Sequence, residues 1–295
     1  MHKIVLQKIQ NSFTKQKERY TIIPRRDYLA KQHRDWNRDI YQRYMREGRG
    51  QGKGKDYIPW IKIHDFPSRG MVSRVKGITT GRIHHLLSNN ELWLFYLLDW
   101  SDEVLDIREQ YPLLDLQLAV EIAEKAQIRY PFDNWSGFPY VMTSDFYVET
   151  TDGPSAIAVK ASTDLKGRRV REKLEIERRY WEAKRIKWRL ITEKEINISK
   201  AQNIEWIYQA QDLGQFCLNE ELQESCIEYF MQNYYSNKFS LKRILTETEN
   251  RYSLAPGIGL TIYRHLIYSK LIKIDISKPI NIMDICEKAQ GSSGK

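Results

Sequence analysis

Cysteine is scarce in this chain: Cys217, Cys226 and Cys286 are the three among 295 residues. An odd count without metal-ligand spacing excludes a disulfide framework and a zinc site, so three reduced core thiols are expected. No apolar run approaches the roughly 18 to 20 residues that a bilayer span requires. The first twenty residues also lack the continuous apolar segment of a secretory signal, so a cytoplasmic protein without a membrane partner is expected. There is no Gly-Lys-Ser/Thr ending to any glycine-rich stretch, which removes the common nucleotide-phosphate cradle, and no repeat of solenoid length. What is present is a 12% aromatic content, incompatible with wholesale disorder, on a length suited to about two domains.

The formal charge of +9 sits at one end. Residues 1–56 hold fifteen Lys and Arg against six Asp and Glu, whereas residues 57–295 hold thirty-two of each. Such an arm favours a polyanion, because each phosphate it neutralises releases condensed counterions; a merely solvated tail is the plainer alternative.

Within the leader, Leu29, His33, Trp36, Ile40 and Tyr44 recur at helical spacing behind a capping Asp27, which predicts an amphipathic helix over 27–46. The alternating glycines of residues 48–55 (GRGQGKGK) end it, and their cations suit a phosphate backbone, so a hinge or strap is expected there. From 57 to 212 strand-like and helix-like stretches alternate, which predicts a mixed α/β domain. Helices are expected over 86–100 and 167–184, strands over 104–114, 140–150, 156–161 and 188–192. Over 213–290, three helical stretches and an alternating segment at 272–282 have the order of a winged-helix module. Tyr263, Arg264, His265, Tyr268 and Lys270 are the principal side chains of its expected recognition helix. Residues 291–295 read as a linker-like tail.

The chemistry concentrates in the hairpin 140–161. With its turn centred on Asp152-Gly153, Asp145 falls opposite Lys160, with Ala158 two residues away on the same face. One more carboxylate from a helix would complete a Mg²⁺ site, since Mg²⁺ takes one or two carboxylates together with phosphate oxygens and waters. Glu91 is the candidate. Lys160 could then orient or deprotonate a water, or neutralise charge on a scissile phosphate. Each has a structural alternative: Ser88 and Glu91 form a Ser-x-x-Glu capping box, and Asp145 with Lys160 could be an ordinary cross-strand ion pair. His84 and His85 read as structural or DNA-contacting, having no acid or cysteine nearby in sequence.

Seven strings in order resemble the TnsA family, the endonuclease subunits of heteromeric Tns-type transposons. They are residues 48–60 (GRGQGKGKDYIPW), 81–88 (GRIHHLLS), 105–114 (LDIREQYPLL), 142–146 (MTSDF), 156–160 (AIAVK), 172–181 (EKLEIERRYW) and 192–197 (TEKEIN). The resemblance covers about residues 47–206. It implies a restriction-endonuclease-like α/β core, a C-terminal winged-helix domain, and hydrolysis at the 5′ ends of transposon DNA. It further implies Mg²⁺, with Mn²⁺ as substitute, a TnsB-like DDE transposase and a TnsC-like AAA+ ATPase. The implied catalytic residues are Glu91, Asp145 and Lys160, with the Val159 carbonyl as a further metal ligand. Ala158 stands where the family pattern has a glutamine that helps hold the metal, and Glu149 is expected to compensate at longer reach. Candidate DNA contacts are Arg46, Arg49, Lys53, Lys55, Arg82, His84 and His85. Two other readings stay open: a catalytically silent scaffold between transposase, regulator and DNA, and a stand-alone restriction or junction-resolving nuclease.

Overall fold

The computed structural model describes residues 36–65, 71–216, 218–236, 238–278 and 280, and the chain divides between Ile196 and Asn197 into two units. Asp27, Leu29 and His33 of the expected leader helix lie outside the described residues, as do Cys217, Cys286 and the tail. Cys226 is a buried free thiol.

In the first unit, helix α1 (Arg38–Arg46) begins at Asn37, whose side chain accepts the Ile40 N–H at 3.0 Å. An oxygen at this position satisfies one of the four orphan donors of a helix start. The apolar stripe packs inward: Trp36, Tyr41 and Tyr44 all meet the Trp60 ring, with centroids 5.3 to 6.2 Å apart. The following glycine loop is built rather than loose. Gly50 has φ +72°, and a Cβ there would lie 2.2 Å from Pro112 Cγ, so a side chain is excluded on both counts. The expected strap is thus a fixed loop against Pro112, and residues 36–56 belong to the core unit instead of a separate leader.

Strands β1 (Ser73–Lys76) and β2 (Ile83–Leu86) form a small antiparallel pair that feeds helix α2 (Asn89–Asp99). The main sheet is four-stranded, in the order β3 (Val104–Pro112), β4 (Thr143–Thr150), β5 (Gly153–Val159) and β6 (Lys187–Ile191). The first two pairings are antiparallel and the last is parallel. A parallel pair needs a long crossover, and helix α4 (Arg168–Ala183) supplies it. Helix α3 (Leu116–Lys125), which the sequence reading passed over although Asp115 caps it and Leu116, Ala119, Val120 and Ala123 recur at helical spacing, joins α4 over a core of Trp60, Leu113, Val120, Tyr130, Ile176 and Trp181.

The second unit is helical: α5 (Ile198–Tyr208), α6 (Glu220–Ser236), α7 (Leu241–Arg251) and α8 (Ile258–Tyr268). Its boundary falls earlier than residue 212, because α5 buries Ile204, Ile207 and Tyr208 within this unit. No wing is seen among the described residues. The alternation of Ile272, Ile274 and Ile276 meets no partner strand; instead the Asn203 amide donates to the carbonyls of Ile276 and Lys278. Three of the five expected recognition side chains are likewise committed internally, while Lys270 is exposed. Tyr263 is buried, Arg264 donates to the Trp206 carbonyl and Gln209, and His265 Nδ1 meets the Ala210 carbonyl at 2.8 Å. Among the described residues no helix is long and apolar enough to cross a membrane.

Candidate active site

Asp145 sits near the start of β4, buried, where the β4–β5 ladder runs out. The ladder pairs Thr150 with Gly153 and Phe146 with Ile157. Continued, that register sets Asp145 opposite Ala158, not Lys160, because the turn begins one residue earlier than the sequence suggested. The side chains nevertheless bring the expected pair together. Asp145 Oδ2 accepts the Val159 N–H at 2.6 Å, replacing a missing ladder bond, and the Lys160 ammonium at 2.8 Å. The same ammonium donates to the Val159 carbonyl at 2.8 Å. It therefore bridges the Asp145 oxygen that hairpin counting named and the Val159 carbonyl that the family resemblance implied as a metal ligand. Burial would lower the Lys160 pKa, but the charge and hydrogen bond of Asp145, then Glu177 and Glu91, outweigh it and raise it.

Glu91 enters from the first turn of α2, where it caps the helix and lies within electrostatic reach of Asp145. Ser88 Oγ accepts the Glu91 N–H at 3.2 Å and returns its own proton to Glu91 Oε1 at 2.9 Å. Glu91 Oε2 accepts from the Leu87 N–H at 3.0 Å and from the Gln110 amide at 3.2 Å. Burial, then the Asp145 charge, push this carboxyl up to about 7.

Glu177 of α4, which the sequence reading passed over, lines the same cavity as Asp145 and Lys160. Its carboxylate accepts from Ser144 Oγ at 2.6 Å and Trp188 Nε1 at 3.1 Å, and burial followed by Asp145 raises its pKa to about 7. A signal existed: Val170, Leu174, Glu177 and Trp181 share one helical stripe, and an acid on an apolar stripe is out of place unless it is used. A cavity of about 540 Å³ opens here, with Asp145, Lys160 and Glu177 in its lining beside Tyr140, Met142 and Leu174.

Among the described residues no three His, Cys, Asp or Glu side chains form a ready metal cage. The donor set still suits a hard cation. Glu91 and Glu177 are both raised by burial and by Asp145, so negative charge exceeds what Lys160 balances, and Mg²⁺ commonly uses only one or two carboxylates. Ala158 contributes no side-chain oxygen and is fully buried. Glu149 does not compensate, since it is held by Arg108 and by Lys53 at 3.1 Å.

The expected DNA contacts separate into two groups. Arg82 and His84 are committed internally, His84 in the structural role that was one of its two expected readings: Glu109 takes Arg82 through two oxygens at 2.8 and 2.5 Å and His84 Nδ1 at 2.8 Å. Arg49 is also internal, paired with Asp65 at 2.6 Å and with its guanidinium over the Tyr44 ring. His85 is half-buried, accepting the Ile63 N–H at 3.4 Å. Arg46, Lys53 and Lys55 are exposed. A basic residue in sequence does not reveal whether an acid waits for it across the fold, and Glu109 and Asp65 were those acids.

A mixed sheet with flanking helices, collecting an acid and a lysine at the end of its central hairpin, has the layout of a nuclease-like α/β domain. Residues 101–193 match the family model described as TnsA-like endonuclease N terminal, and residues 195–276 the model described as TnsA endonuclease C terminal. Over 273 residues, 87% of this chain and 98% of the relative, the sequence is 38% identical to the Transposon Tn7 transposition protein TnsA of Escherichia coli. The chain belongs to the TnsA endonuclease family. The two matches meet beside the division between the two structural units.

Proposed function

We propose that the chain is the Mg²⁺-dependent endonuclease subunit of a Tn7-like transposon. In this reading it hydrolyses the phosphodiester at the 5′ ends of the element, beside a TnsB-type DDE transposase and a TnsC-type AAA+ regulator. The observation that supports this best is the bridging of Asp145 and the Val159 carbonyl by one ammonium, with the raised Glu91 carboxyl close enough to feel the Asp145 charge. Asp145, Glu91 and the Val159 carbonyl would hold the cation. When bound, Mg²⁺ polarises a phosphoryl oxygen and eases ionisation of a water. Lys160, held protonated, then offers positive charge to a non-bridging phosphate oxygen as charge develops there. Glu177, buried and with its carboxyl raised to about 7 by burial and then by Asp145, exchanges its proton near neutral pH beside Asp145. Exposed Arg46, Lys53 and Lys55 are the cations of the core unit that remain candidates for the duplex backbone.

The test is strand-resolved cleavage of transposon-end DNA with Mg²⁺ and the partner proteins. Cutting of 5′ ends by the native chain and not by Asp145→Asn is expected; undiminished cutting by Asp145→Asn would sink the reading. The scaffold reading has one observation behind it, the missing oxygen at Ala158. It gains the field if the native chain leaves 5′ ends intact while Ala158→Gln cuts them.

A further inference from the structure

Gln110 has a left-handed backbone toward the C-terminal end of β3, with φ +48°, a conformation that a non-glycine residue adopts at a cost. The register places it across from Asp145, since its neighbours Glu109 and Tyr111 pair with Phe146 and Ser144. Regular strand alternation would set residues three apart on opposite faces. Here the Arg108 guanidinium lies over both Tyr147 and Tyr111, at 5.1 and 5.7 Å, and Tyr111 stacks on Tyr147 at 4.5 Å. Arg108 and Tyr111 therefore share one face. The consecutive residues between them both turn to the β2–α2 segment: Glu109 to His84 and the His85 N–H, Gln110 to Glu91. The left-handed residue is where the alternation breaks.

The Gln110 side chain is buried and satisfied at both ends. Its Nε2 donates to Glu91 Oε2 at 3.2 Å, and its Oε1 accepts from Thr143 Oγ1 at 3.2 Å. Thr143 stands two residues before Asp145 and lines the same cavity. The other hydrogen bonds to the Glu91 carboxylate, from Leu87 and Ser88, come from the entrance of its own helix. They orient Glu91 relative to α2 and carry no information about where the sheet is. Gln110 is the link between that carboxylate and the sheet that carries Asp145.

We propose that Gln110 is a positioning residue of the nuclease site: its amide sets the Glu91 carboxylate relative to Asp145, and its left-handed backbone exists to aim that amide. This rests on the reading that Glu91 and Asp145 hold Mg²⁺. Two substitutions separate amide from backbone. Gln110→Gly removes the amide and relieves the φ requirement, while Gln110→Met keeps the length and the backbone demand but has no amide. Affinity is measured on the full chain with Mn²⁺ as paramagnetic probe and Mg²⁺ as competitor, alongside thermal unfolding. Loss of a ligand-orienting partner commonly weakens metal binding 10- to 100-fold. Both variants are expected to raise the Mg²⁺ Kd about tenfold or more while unfolding cooperatively, and to lower kcat for end cleavage without raising the KM for DNA. Native Mg²⁺ affinity in either folded variant overturns the proposal while leaving the site reading intact. A native chain that binds neither cation overturns the site reading, and the proposal with it.

Discussion

Lys160 Nζ and Asp145 Oδ2 stand 2.8 Å apart at the end of the hairpin, in an arrangement that a surface ion pair could imitate in distance but not in setting. Asp145 is buried, and the ammonium also satisfies the Val159 carbonyl. Despite the lowering effect of burial, Asp145 and its acidic neighbours raise the Lys160 pKa, so in the proposed site the lysine is expected to serve as a fixed cation and not as a base. Lys160→Met should then reduce 5′-end cleavage by about 100-fold or more, the usual scale for removing one charge-stabilising donor. Lys160→Arg should rescue little, since a planar guanidinium cannot take the place of a point charge against two oxygens. Equal cleavage by native and Lys160→Met chains in a single-turnover assay would refute the role.

Glu177 makes a prediction in pH. Burial, then the Asp145 charge, lift its carboxyl from 4.5 to about 7. Below pH about 4.5 the group is neutral in folded and unfolded chains and costs nothing. Between about 4.5 and 7 the unfolded chain ionises first, so folding stability declines, and above 7 the full penalty is present, about 3 kcal/mol at most. Glu177→Gln keeps an oxygen for Ser144 and Trp188 and removes the charge. It should raise the Tm at pH 8 by a few degrees and leave it nearly unchanged at pH 4.5. A gain of equal size at both values would remove the electrostatic explanation.

How much of this was visible in the chain alone depends on what each residue answers to. Asp145 and Lys160 were nominated by hairpin counting and Glu91 as a carboxylate near a helix start, all three again by the family resemblance, and the structure brings Asp145 into contact with Lys160 and within electrostatic reach of Glu91. The counting missed the register because the turn begins at Thr151, yet period-2 alternation kept Ala158 and Lys160 on a common side. Glu177 was legible from its stripe and overlooked. Gln110, Arg82 and His84 were not legible in the same way: a left-handed glutamine and a buried Arg-Glu-His group exist only once β3 lies against β2 and α2. Residues 272–278 alternate like a strand, but pattern cannot supply the neighbour that a strand needs.

The Glu109 group should prove structural. This carboxylate is wholly buried. Burial alone would raise its pKa, but His84 and Arg82 hold it far below the usual carboxylate range. With the folded value depressed, its contribution is complete above pH about 4.5 and fades only as pH falls toward that low folded value. Glu109→Ala strands a buried guanidinium and imidazole, so a loss of about 3 to 5 kcal/mol in urea unfolding at pH 7 is expected. A loss under 1 kcal/mol would show that the group relaxes to water and does not clamp β2 to β3.

The basic arm can be separated from the core only at the right residue. Trp36 Nε1 donates to the Pro139 carbonyl at 2.7 Å, Ser136 Oγ donates to the Trp36 carbonyl at 2.6 Å, and α1 lies on Trp60. A chain beginning at Asp56 loses buried Tyr41 and the partly buried Trp36 and Tyr44, so it should be destabilised by at least about 3 kcal/mol and is unsuitable for reading charge effects. A chain beginning at Trp36 keeps them and removes nine Lys and Arg against three Asp and Glu. If those cations bind the duplex, the slope of log K against log salt should flatten by about 0.9 for each phosphate that is no longer neutralised, with unfolding unchanged. Identical slopes for the full chain and the chain from Trp36 would assign DNA attraction to Arg46, Lys53, Lys55 and the rest of the described surface, and leave the first 35 residues without a part in it.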